Sequence, residues 1–176
     1  MKIVILSGSP HKKGTSALLV DEFVKGVGDK HEVFRFDCAF EDVHPCIGCQ
    51  TCFEKGECIF DDSFTKLKDK ILEADLIVFA TPVYYFTMTA QLKAVIDRFY
   101  QLNMQLMEME KKVIYMFTAL NPNPEIVKSL ELTLDSICGF LNWQVIEKIY
   151  AINCGVREDI EKTEYPQKAF EIGKSI

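Results

Sequence analysis

The 176-residue chain has no apolar run approaching the roughly 20 residues that cross a bilayer, so no membrane span is expected. Positive charge is not in excess. Lys and Arg number 20 against 26 Asp and Glu, the formal net charge is −6 and the pI is about 5.1. A nucleic-acid surface shows as clustered Lys and Arg, so that partner class is not expected, and the acidic balance reads as solubility. Met1-Lys2-Ile3-Val4-Ile5-Leu6 is too short for a signal-peptide apolar region before Ser7, Gly8, Ser9 and Pro10 break it. It reads as a first strand, and the protein is expected to be cytoplasmic. Two nucleotide signatures are missing. Gly8 and Gly14 stand one residue too far apart for a Walker A loop, and Thr15 follows without the required lysine. No Gly-x-Gly-x-x-Gly is present for a dinucleotide. No internal repeat or low-complexity tract is found.

What is there fits one domain over residues 1–176, with 48% apolar residues to fill one core. Lys2–Leu6, Leu76–Ala80 and Val113–Phe117 are short apolar runs bounded by turn residues, the pattern of buried strands. His31–Phe36 alternates, and a fifth strand lies within Trp143–Ile152. Between them run helical faces. Val20, Phe23, Val24 and Val27 follow a start near Gly14, and Phe64, Leu67 and Ile71 follow a cap at Asp62 or Ser63. Leu92, Val95, Ile96 and Phe99 give the third face. Val127, Leu130, Leu134, Ile137 and Leu141 give the fourth, and Ala169, Ile172, Gly173 and Ile176 the last. Strict β-α alternation implies an α/β fold: a doubly wound, five-stranded parallel sheet with helices on both faces. The expected strand order is the flavodoxin-like 2-1-3-4-5. Residues 37–62 show no period and read as a Cys-rich insertion.

Ligands of such sheets bind beyond the carboxyl ends of the strands. The loop Ser7 to Ser16 leads from strand one into a helix. Its hydroxyls and free N–H groups suit a phosphate, with His11, Lys12 and Lys13 adding positive charge. A plain polar turn capped by Thr15 or Ser16 is the alternative. A phosphate site without either nucleotide motif points to a mononucleotide such as FMN. The loop Thr81 to Thr89 carries Tyr84, Tyr85 and Phe86, which can pack on a planar ring.

Gly8-Ser9-Pro10 with Gly14-Thr15-Ser16, then Thr81-Pro82-Val83-Tyr84, then Ala90 through Arg98, together resemble the NAD(P)H-dependent FMN reductases, especially the branch with the iron–sulfur flavoproteins. The resemblance implies that the first loop binds the FMN phosphate through Ser9, Gly14, Thr15, Ser16 and Ala17. His11 stands where the family often has arginine. Pro82, Val83, Tyr84 and Tyr85 match the loop that lines the isoalloxazine. Thr118 and Ala119 begin the third loop, which lacks the glycines often found there. The implied function is an FMN-dependent oxidoreductase with NAD(P)H as cosubstrate and a second electron acceptor. The cofactor carries the chemistry, so no catalytic side chain is named. Response-regulator receivers share the strand order. They resemble one another in acidic residues after strand one and a phospho-acceptor Asp after strand three, where this chain has Ser7–Ser9 and Thr81.

Cys46, Cys49, Cys52 and Cys58 are spaced C-x2-C-x2-C-x5-C, enough for a [4Fe–4S] cluster. Zinc cysteines usually come as two separated pairs. The resemblance leaves two readings open. The chain is an iron–sulfur flavoprotein acting as an electron carrier, or it is a flavin reductase whose thiols are structural or redox-active. Cys38, Cys138 and Cys154 read as buried, and His31 and His44 as surface residues. The Met-rich stretch Phe99–Met109 has two readings, core or subunit interface; the interface is the expectation, with a homo-dimer or tetramer.

Overall fold

The computed structural model describes residues 1–176. Five parallel strands form one sheet in the order β2-β1-β3-β4-β5. They are β1 (Lys2–Ser7), β2 (Glu32–Asp37), β3 (Leu76–Pro82), β4 (Lys112–Thr118) and β5 (Gln144–Ala151). The flavodoxin-like α/β fold expected from the periodicity is the one formed. β1 pairs with β2 from Lys2↔Glu32 to Ser7↔Asp37, and with β3 from Ile3↔Leu76 to Ser7↔Ala80. The chain therefore leaves β1 toward one edge and β3 toward the other. That reversal opens a crevice beyond Ser7 and Pro82.

The strands are apolar on both faces because both are covered. On one face Ile3, Ile5, Val78, Ile114 and Ile149 pack against α1 (Thr15–Val27) and α8 (Tyr165–Ser175). On the other, Val4, Leu6, Phe79, Tyr115 and Phe117 pack against α3 (Phe64–Glu73), α4 (Ala90–Asp97) and α6 (Lys128–Leu141). Helices α1 and α8 meet backbone to backbone. A Cβ on Gly26 would stand 2.1 Å from the Phe170 carbonyl oxygen, and one on Gly173 2.2 Å from that of Phe23.

Element ends differ from the sequence reading by a residue or two. β1 gains Ser7, β4 gains Lys112 and Thr118, and β3 runs on through Thr81 to Pro82. Asp62 rather than Ser63 caps α3, its Oδ1 accepting from the Phe64 N–H at 3.0 Å. Two short helices are additions, α2 (Thr51–Lys55) inside the Cys-rich segment and α7 (Arg157–Ile160) after β5. A 3-10 turn over Arg98–Leu102 continues α4, followed by α5 (Asn103–Met107). Within Phe99–Met109 the residues divide: Phe99, Leu102 and Leu106 are buried in the core, and Tyr100, Met104 and Met107 face outward. No helix is long and apolar enough to cross a membrane.

Candidate functional site

At the carboxyl end of β1 the chain turns sharply. The Gly8 N–H donates to the Ala80 carbonyl at 2.8 Å, and the Thr89 hydroxyl donates to the Gly8 carbonyl at 2.7 Å. A Cβ on Gly8 would lie 2.7 Å from Thr89 Oγ1 and 2.9 Å from Leu92 Cβ, so only glycine lets α4 approach this closely. Ser9 Oγ accepts from the His11 N–H at 3.2 Å, and the Gly14 N–H donates to the His11 carbonyl at 3.1 Å. These bonds fold residues 9–14 into a tight loop over the start of α1.

The start of α1 is left without partners. Gly14 occupies the N-cap position, no side chain caps the helix and no acidic residue sits in its first turn. The Leu18 N–H bonds the Gly14 carbonyl, while the N–H groups of Thr15, Ser16 and Ala17 find no acceptor in the protein. Partnerless N–H groups at the positive end of a 13-residue helix, flanked by Lys12 and Lys13, form a cradle for an anion. Thr15 and Ser16 do not cap α1, which corrects the polar-turn alternative. Their hydroxyls are 3.0 and 2.8 Å from Thr118 Oγ1 and tie α1 to the end of β4.

After β3 the Val83 N–H bonds the Thr118 carbonyl at 2.8 Å, and Tyr84 and Thr87 bond each other reciprocally through their backbones. Tyr85 (φ 47°) and Phe86 (φ 68°) form the tip of this tight turn, both left-handed, where Asn-Gly is the usual choice. Tyr85 is 99% exposed and Phe86 59%. Strain and exposure of two aromatics at one tip is a pattern found at ligand clamps. After β4 the Cys154 N–H bonds the Ala119 carbonyl at 2.9 Å, bringing the β5 loop alongside.

These loops surround a depression of about 680 Å³. Ser9, His11, Gly14, Thr15, Pro82, Val83, Tyr84, Thr118 and Ala119 line it. Ser16 and Ala17 are buried and do not line it, and neither does the nearly fully exposed Tyr85. The sequence reading missed Phe40, over whose ring the Lys12 ammonium sits at 4.7 Å, and the segment Cys154 to Glu158. The volume falls within the usual range for a cofactor or drug-sized ligand. A phosphate at the α1 N-terminus with a planar ring toward Tyr84 fits the residues present. A second depression, about 620 Å³, lies at the opposite end of the sheet near Met1, Asp75 and Lys111, away from the strand carboxyl ends.

The Cys-rich segment lies beside α4. Left-handed Gly48, Gln50 and Gly56 curl it (φ 67°, 61° and 78°), and α2 begins two residues after Cys49. Cys46, Cys49, Cys52 and Cys58 all line one small depression, together with Phe60 and Arg98. All four are free thiols. Hydrogen bonds from the Thr51 side chain and N–H hold the Cys49 thiol below its ordinary pKa, and burial raises that of Cys52. No three His, Cys, Asp or Glu side chains converge on a single ion. A cubane asks for a different arrangement, since each of its four thiolates binds a separate iron. The donor set is therefore chemically suited to a cluster. Cys38, Cys138 and Cys154 are buried singly, as read from the sequence. His44 is exposed, and His31 is half-buried against the N-terminal amine.

The family model of the NADPH-dependent FMN reductases matches residues 1–156. The chain belongs to that family. An iron–sulfur flavoprotein of Archaeoglobus fulgidus is 30% identical over 179 residues, covering 100% of this chain and 79% of that protein. An iron–sulfur flavoprotein of Methanocaldococcus jannaschii is 37% identical over 99 residues, 56% of this chain and 51% of that one. The chain thus spans about half the length of some of the curated relatives it matches. Among solved structures, an azoreductase from Bacillus anthracis superposes over 100% of both chains with a TM-score of 0.76 at 17% identity, which shows the shared fold.

Proposed function

We propose that the protein is an FMN-dependent NAD(P)H oxidoreductase passing reducing equivalents through its flavin to a second acceptor. The observation that carries this reading is the partnerless α1 N-terminus at the switch point. The N–H groups of Thr15, Ser16 and Ala17 would hold the 5′-phosphate, with Lys12 and Lys13 neutralising it. Pro82, Val83 and Tyr84 would support the ring from the β3 loop, and Thr118 and Ala119 would close the far edge. Tyr85 and Phe86, exposed at the tip, would exclude water from the open face. FMN, when bound, would supply the hydride-accepting and electron-transfer chemistry. The protein supplies binding and orientation, and no side-chain acid or base is needed. NAD(P)H would stack on the flavin from the open side of the depression, consistent with the missing dinucleotide motif.

A second reading extends the first. The four thiols around one depression, and the similarity to iron–sulfur flavoproteins, favour a [4Fe–4S] cluster held by Cys46, Cys49, Cys52 and Cys58 as a one-electron outlet. The exposed Tyr100, Met104 and Met107 would face a second copy of the chain.

The test is an absorption spectrum of anaerobically purified protein, with iron and sulfide assayed on the same sample. Flavin bands bleached by NAD(P)H support the oxidoreductase. About four irons per chain in addition support the cluster. Flavin without iron leaves the four cysteines as thiols, and a colourless protein that cannot be reconstituted with FMN overturns both readings.

A further inference from the structure

One buried cation is used by neither the flavin nor the thiols as so far described. The Arg98 side chain is 2% exposed and pairs with Asp62, also 2% exposed, at 2.5 Å. The same guanidinium nitrogen donates to the His44 carbonyl at 3.0 Å, and its neighbour donates to the Phe60 carbonyl at 3.5 Å. Asp62 in turn accepts from the N–H groups of His44 and Phe64. His44 and Phe60–Asp62 are the two ends of the segment that carries Cys46 to Cys58. Arg98 therefore clasps the neck of the cysteine loop, with its guanidinium over the rings of Phe64 and Phe60 at 5.0 and 5.6 Å. Its Nε–H is buried with no acceptor in the protein, and Arg98 lines the same depression as the four thiols.

A buried unpaired donor on a cation is costly, and an acceptor arriving in that depression would relieve it. Sulfur atoms carrying net negative charge are such an acceptor. We propose that Arg98 is a positioning residue of the cysteine loop: it locks the loop's two ends in the ligand-presenting form and sets a positive charge against the sulfurs, raising the reduction potential of a bound cluster. Cluster potentials respond to local charge and to hydrogen bonds on sulfur, and a cation favours the more negative, reduced form. Arg98 also stands at the end of α4, whose N-cap Thr89 grips the phosphate-loop carbonyl of Gly8. One rigid helix of about 12 Å thus joins the flavin loop to the cysteine loop.

The electrostatic half of this proposal rests on the cluster reading above, and the clasp does not. The experiment compares wild type with Arg98→Lys, Arg98→Met and the double variant Asp62→Leu/Arg98→Met. The double variant removes both charges and is the measurement to use should Arg98→Met fail to fold, because a buried pair replaced by apolar residues is commonly tolerated. In metal-free protein, trypsin cleavage after the exposed Lys55 is expected to be at least tenfold faster in Arg98→Met and in the double variant. In protein loaded with iron and sulfide, the cluster potential is expected to fall most in Arg98→Met. It recovers partly in the double variant and stays near wild type in Arg98→Lys. Cleavage at the wild-type rate overturns the clasp. Faster cleavage with an unchanged potential overturns the charge role and leaves a structural one. A wild-type protein that takes up no iron overturns the cluster reading and with it the charge role, while the cleavage rates still judge the clasp.

Discussion

Replacing Thr118 by Val removes one oxygen and keeps the shape of the side chain. That oxygen accepts from the Thr15 hydroxyl at 3.0 Å and pairs with the Ser16 hydroxyl at 2.8 Å. Thr15 is half-buried and can turn to water, so its loss is a single net hydrogen bond of about 0.5–1.5 kcal/mol. Ser16 is fully buried and would be stranded, at a further cost of about 1–3 kcal/mol. Allowing for relaxation, Thr118→Val should destabilise the flavin-free protein by about 2 kcal/mol. For a domain of this size that lowers Tm by roughly 4–8 °C. Saturating FMN should shrink the difference, because a bound phosphate orders the α1 N-terminus independently of the hydroxyl tether. The assay is thermal unfolding by circular dichroism with and without FMN. A variant that melts within a degree of wild type in the flavin-free form would refute the reasoning that β4 anchors this helix start.

Gly26→Ala should cost about 3 kcal/mol, because its new Cβ meets the Phe170 carbonyl and α1 and α8 must separate. A urea melt like that of wild type contradicts the close contact. Phe86→Gly relieves a left-handed aromatic worth about 1–2 kcal/mol, so the flavin-free protein should melt a few degrees higher while FMN binds more weakly. Unchanged flavin affinity would remove the aromatic tip from the site. Burial pushes the pKa of Lys111, whose ammonium donates to the carbonyls of Leu72 and Ala74, down to about 8. The folded value lies below the unfolded value of about 10.4, so above pH 8 the unfolded chain holds more protons and stability rises with pH. Between pH 7 and 9.5 wild type should gain about 1–2 kcal/mol relative to Lys111→Met in urea unfolding. A constant difference refutes it.

The strands and helix faces were legible because their signals are local. Val20, Phe23 and Val27 repeat at helical spacing, and Leu76–Ala80 is an unbroken apolar run, so the α/β order follows from periodicity alone. Ser7 and Thr118 were left outside their strands because a polar end residue gives no apolar signal, although the pairings Ser7↔Ala80 and Pro82↔Thr118 include them. Helices α2 and α7 span five and four residues, too short to show a period. The role of the Thr15 and Ser16 hydroxyls escaped for a different reason. Their acceptor is more than 100 residues away in sequence, and a phosphate-loop motif looks the same whether its hydroxyls face the ligand or the sheet. The Arg98–Asp62 pair was equally hidden. Asp61-Asp62 and Asp97-Arg98 are visible as charges, but only the fold selects which of them meet and shows that the pair is buried. Cys154 to Glu158 reach the crevice because β5 ends beside β4, a consequence of topology rather than of any motif.

The central claim is that the start of α1 binds the phosphate of a flavin mononucleotide. It is tested most directly by titrating flavin-free protein with FMN and with riboflavin, following the quenching of flavin fluorescence at fixed ionic strength. Two or three charge-assisted hydrogen bonds from Thr15, Ser16 and Ala17 are worth about 3 kcal/mol or more together, so FMN should bind at least about 100-fold tighter than riboflavin. Equal affinity for the two would contradict the account.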